Sequence, residues 1–168
     1  MKFKIRNYTK MPTKALRRFI TEVCPFGLDD FTVIFRPAEA GSVFEGEAIN
    51  KTATVWISRS YQPCQIFSRK LHKYGYISHE IVYFKPEIIY YLIAHELRHL
   101  WQGNVRLGRY KLKTVSFQHI YGPMTVWPAK ERDACKYGSM KLAEFRKRMQ
   151  DSLRKSRLQK QHTASPKK

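Results

Sequence analysis

Acidic residues are scarce in this sequence. Only 13 Asp and Glu stand against 32 Lys and Arg, giving a formal net charge of +19 over 168 residues. No acid falls between Glu47 and Glu80 or between Glu96 and Glu131. A field of that sign draws polyanions by counterion release, so nucleic acid is an expected partner with little sequence preference. A basic, solubilising surface accounts for the same composition, because charge alone specifies no partner. Cysteine is scarce as well. Cys24, Cys64 and Cys135 form an odd set with no metal-binding spacing, which excludes a disulfide framework and reads as free thiols in a reducing, cytoplasmic compartment. The opening MKFKIRNYTKMPTKALRRF lacks the apolar core of a secretion signal. Long hydrophobic runs are missing too: the longest, Ile88 to Ala94, is far short of the roughly 20 residues that span a bilayer, so a soluble protein without a membrane partner is expected. Neither a phosphate-cradling Gly-rich loop, nor a nucleophilic Ser or Cys arrangement, nor an internal repeat occurs.

What is present suits one α+β domain over residues 1–158, long enough to bury a core without staples, so that a metal would serve chemistry rather than folding. Met11 to Val23 has the pattern of a short amphipathic helix. Phe31 to Phe35, Ser42 to Ala48 and Thr52 to Ser58 alternate as strands. Ser60 to Lys85 lacks a clear period and reads as an irregular connection, with one strand at HEIVYF. Pro86 suits the first turn of a helix and Gly103 with Asn104 its stop, which predicts a helix from Pro86 to Gln102. Val105 to Trp127 reads as extended or hairpin. Pro128 then opens a last helix with an apolar stripe through Ala134, Cys135, Gly138, Leu142, Phe145, Met149 and Leu153. Residues 159–168, QKQHTASPKK, carry no apolar run and read as a basic, disordered tail.

The chemistry lies in YYLIAHELRHLWQGN. His95, Glu96 and His99 have the order H-E-x-x-H in the second half of the Pro86 helix. Four residues separate the histidines, so both rings can address one ion, while Glu96 projects about 100° away and can hold a water without ligating the metal. The frequencies of His and acids in this chain yield about one chance match in sixty such sequences. A bounded, apolar helix around the motif lowers that further. Two core histidines without a metal would each need another hydrogen-bond partner. A catalytic zinc site takes a third protein ligand and leaves one position open. Downstream candidates are His119, Glu131 and Asp133. Glu131 shares the apolar stripe of the last helix, whereas Asp133 sits about 200° round from it, so Glu131 faces the core. A carboxylate there would be costly unless an ion neutralised it.

HELRH followed by ERDAC resembles the gluzincin arrangement, in which H-E-x-x-H on one helix is completed by the Glu of E-x-x-A-[DN] on the next. Compact ImmA/IrrE-like peptidases and minigluzincins share that layout, with a small sheet before the active-site helix. The likeness covers mainly Tyr90 to Gly138. It implies a zincin-like fold and a zinc-dependent metallopeptidase acting on a protein or peptide, with His95, His99 and Glu131 as zinc ligands and Glu96 as general base. Cys135 departs from the family pattern, standing where an Asp or Asn orients a ligating histidine. A competing resemblance is to SprT-type proteases of DNA-bound protein, which take a third histidine; His119 would fill that place, or with Tyr121 donate to the oxyanion. Zincin strands bordering the cleft pair with substrate, and by that likeness Thr54, Val55 and Trp56 are the expected substrate strand. The remaining alternative is a basic nucleic-acid-binding protein on the same fold with little or no hydrolysis. The run FRKRMQDSLRKSRLQK reads as a solvated helix face or a contact to a nucleic-acid backbone, and Arg98 and Trp101 receive no role.

Overall fold

Alternation of apolar and polar residues sorts β-strand side chains between two faces, and the burial of this chain follows it closely. The computed structural model describes residues 1–38, 45–57, 85–104, 115–119, 122–126 and 128–163. Its elements are β1 (Phe3–Asn7), α1 (Thr13–Val23), β2 (Phe31–Pro37), β3 (Glu45–Ile49), β4 (Thr52–Ile57), α2 (Lys85–Asn104), β5 (Val115–His119), β6 (Gly122–Val126) and α3 (Pro128–Thr163). The main sheet has the order β1-β2-β4-β3, with β1, β2 and β4 parallel and β3 antiparallel to β4. This is an α+β protein with a mixed four-stranded sheet, and β5 and β6 form a separate antiparallel pair. Asn50 makes the tight β3–β4 turn at φ 53°, a left-handed conformation that Asn tolerates.

Phe31, Val33 and Phe35 of β2 and Ala53, Val55 and Ile57 of β4 are buried on one face of the sheet. In register with them, Ala48 and Gly46 of β3 continue that face to the sheet edge. β4 is hydrogen-bonded on both sides, by β2 and by β3. The expectation that Thr54, Val55 and Trp56 offer a free strand to substrate is therefore corrected: their backbone groups are spent within the sheet, whose edges among the described residues are β1 on one side and β3 on the other. β1 was not foreseen. Its two apolar residues, Phe3 and Ile5, are separated by cations, and only pairing with β2, with Phe3 stacked on Phe31 at 5.5 Å, makes it a strand.

α2 is the central element. Every residue from Ile88 to Leu97 is buried, as befits a helix apolar all round. It packs against β3 and β4, α1 and α3. Its approach to α3 is close: a Cβ on Gly138 would lie 2.8 Å from Tyr91 Cε2. Tyr137 Oη donates to Val23 O at 2.7 Å and Trp101 Nε1 to Phe26 O at 2.9 Å, tying α3 and α2 to the end of α1.

The buried stripe of α3 ends sooner than its sequence suggests. Ala134, Cys135, Gly138 and Leu142 are buried and Phe145 half-buried, but Met149 and Leu153 are 47% and 56% exposed. The helix nevertheless continues through Thr163, past the expected start of a tail at residue 159. Leu, Arg, Lys and Gln are good helix formers whether or not they have anything to pack on. The connection from residue 60 and the HEIVYF strand lie outside the described residues. Among the described residues no helix is long and apolar enough to cross a membrane.

Candidate metal centre

His95 and His99, one turn apart on α2, bring their Nε2 atoms to 3.0 Å with the rings nearly perpendicular. Glu131 enters from the first turn of α3, with Oε2 3.5 Å from His95 Nε2 and Oε1 3.3 Å from His99 Nε2. Metal–ligand bonds of about 2.0–2.1 Å in a tetrahedron place ligand atoms roughly 3.3 Å apart. The three separations bracket that value, so the residues fit a metal ion. Two imidazoles and a carboxylate suit several first-row ions, and the donor set alone does not single out zinc.

The second nitrogen of His99 is fixed by a chain of contacts. Nδ1 lies 2.9 Å from Gln102 Oε1. Gln102 Nε2 donates to Lys130 O at 3.0 Å and to Asp133 Oδ2 at 2.8 Å, so its amide orientation is determined by two acceptors. An amide oxygen only accepts, which keeps the proton on Nδ1 and the lone pair on Nε2, facing Glu131. Asp133 is held in turn by Arg98, whose Nε and Nη2 donate at 2.7 and 3.0 Å. The guanidinium lies 3.9 Å above the Trp101 ring.

His95 has a different environment. Among the described residues its Nδ1 has no hydrogen-bond partner of ordinary geometry. Buried Cys135 belongs to one group with His95 and Glu131, a ligand atom of each lying within 4.8 Å of the others. Burial opposes charge on His95, but Cys135, Glu131 and Glu96 outweigh it and hold its pKa well above the usual imidazole value. Burial likewise raises the pKa of Glu131, and the hydrogen bonds and charge of the two histidines overcome that and hold it well below the carboxylate range.

Glu96 is 4% exposed, with Oε1 3.9 Å from His95 Nε2. Burial pushes its pKa up; His95 and His99 pull it down, and Glu131 and Glu47 add to the rise. A general base profits from that direction of shift. Over it lies Gly46 of β3, where a Cβ would stand 2.6 Å from Glu96 Cγ and 2.7 Å from Cδ. Only glycine lets the edge strand come this close.

Of the residues singled out in the sequence, His95, Glu96, His99 and Glu131 are together. His119 ends β5, with nothing described of its side chain, and Tyr121 lies outside the described residues. Gln102, Arg98 and Gly46 were not foreseen as parts of the site, and Asp133, weighed as a ligand and set aside, instead accepts from Gln102 and Arg98. Gln102 follows His99 by three residues, a spacing that puts them on one side of a helix and could have pointed to it; nothing near Gly46 in sequence signals its contact. No protein-family model, curated protein or solved structure matches this chain.

Proposed function

We propose that this protein is a zinc-dependent metallopeptidase of gluzincin type on a zincin-like fold. The observation that carries the reading is the convergence of His95, His99 and Glu131 from two helices, with buried Glu96 beside them. His95, His99 and Glu131 would hold the ion. A bound zinc ion would supply the Lewis acid that polarises a scissile carbonyl and brings the pKa of water towards about 7. Glu96 takes the proton from the attacking water and passes it to the leaving amine, work suited to a carboxylate whose burial raises its proton affinity. Gln102 keeps the His99 lone pair available, and Gly46 gives β3 room to border the carboxylate. An extended peptide adding to the edge of β3 would pass directly beside Glu96.

The test is Glu96→Gln. It should keep the metal and lower peptide turnover by about 10²–10⁴-fold, the usual worth of a general base. Full turnover in that variant would refute the reading. A second reading, a nucleic-acid-binding protein without hydrolysis, draws on the net charge of +19 and has no use for Glu96.

A further inference from the structure

The far half of α3 takes no part in the metal centre. Every residue from Lys147 to Arg157 is exposed. Near its middle the helix is tied to the body by the paired bonds of Arg146 to Glu87, and by those of Arg148 to Glu22 and Tyr90. From Arg146 to Arg157 there are six cations and one acid, Asp151. Arg146 and Arg148 are neutralised by the body. Lys147, Arg154, Lys155 and Arg157 make no ion pair among the described residues.

At about 100° per residue, Lys147 and Arg154 lie together along the middle of one face, with Lys155 and Arg157 some 80° to either side. Asp151 falls on the same face and offsets one charge. Met149 and Leu153 are on the opposite side. A helix this exposed and this poor in internal counter-charges leaves its cations to an outside anion.

Three occupants fit poorly. A lipid surface needs a broad apolar face, and Met149 with Leu153 is too little. Single-stranded nucleic acid needs aromatic platforms, and none occurs from Arg146 to Thr163. A second copy would bring like charge to like charge, with Glu22, Asp30, Glu87 and Asp133 already paired within the chain. We propose that this face docks on double-stranded DNA, the helix entering the major groove and Lys155 and Arg157 reaching phosphates on its two sides. The major groove of B-form DNA, about 12 Å wide, admits a helix, whereas that of A-form RNA is too narrow for side chains to read. This interface is independent of whether the metal centre hydrolyses anything.

The test is binding of the full chain to a DNA duplex of about 20 base pairs, followed by fluorescence anisotropy over salt. The two phosphate contacts of Lys155 and Arg157 contribute a slope of about −1.8 in log K against log salt, or roughly a 12-fold loss between 50 and 200 mM. The quadruple variant Lys147→Gln, Arg154→Gln, Lys155→Gln, Arg157→Gln should lose that contribution, with helix content by circular dichroism unchanged. The same charge is removed elsewhere by Lys4→Gln, Arg6→Gln, Lys10→Gln, Lys14→Gln, and this control should keep most of the affinity and slope. Equal losses in both variants would mean a diffuse field and overturn the assignment. So would absence of duplex binding, tighter binding to an RNA duplex or to phosphatidylserine vesicles, or a dimer that the helix variant abolishes.

Discussion

α2 touches two neighbours around its histidines, and the contacts differ in kind. Towards α3 it is polar and densely bonded: Glu131 meets both imidazoles, and Gln102, Asp133 and Arg98 lock His99 from behind. Towards β3 it is steric: a glycine lies over Glu96, and space rather than hydrogen bonding sets the position of the carboxylate. On the proposed reading, the first contact would hold an ion and the second a base. Holding metal and moving protons should then be separable by mutation, according to which side of α2 is changed.

The largest effect expected on the α3 side is from Glu131→Ala, which removes a proposed ligand outright. On the β3 side Glu96→Gln should be the strongest, with turnover down about 10²–10⁴-fold and metal affinity near wild type by competition with a chromophoric chelator. Gln102→Ala should weaken metal binding by about 10–100-fold, the usual loss when a ligand's hydrogen-bond support is removed, and Gln102→Glu should recover part of it. Gly46→Ala should lower turnover while leaving metal affinity unchanged, because the new methyl displaces Glu96 and no ligand. If Gly46→Ala lost metal and Gln102→Ala did not, the division between the two sides would be wrong.

Acid dependence should follow the α3 side. His95 in the metal-free protein has a raised pKa, so a proton occupies it at and somewhat above the ordinary imidazole value of 6.5. That proton must leave before Nε2 can bind an ion. Metal affinity should therefore fall as pH is lowered, beginning above 6.5, and this can be followed by metal titrations across pH. A smaller, structural effect is expected at Gly138, where alanine would crowd Tyr91 and cost about 1–3 kcal/mol in denaturant unfolding.

Much of the α3 side was legible in the sequence. His95 and His99 share a helix face by spacing alone, and Glu131 lies on the buried stripe of its helix, so local periodicity brings all three inward. The β3 side was not legible. The order of strands in a sheet depends on pairings between residues far apart in the chain. Thr52–Ile57 has the look of a half-buried strand equally well at an edge or in the interior, and only its pairing with both β2 and β3 decides the matter. β1 was hidden for the same reason, its apolar residues being too few to mark a strand without β2 beside it. The far half of α3 differs in another way: Met149 and Leu153 continue the helical spacing, yet both are exposed.

The most direct measurement is metal content and affinity of the purified protein against Glu131→Ala, by mass spectrometry and chelator competition. One zinc ion per chain in the wild type, lost in Glu131→Ala while the fold persists by circular dichroism, is the expected result. Stoichiometric metal retained at wild-type affinity in Glu131→Ala would contradict the assignment of Glu131 as a ligand, and with it the centre described between α2 and α3.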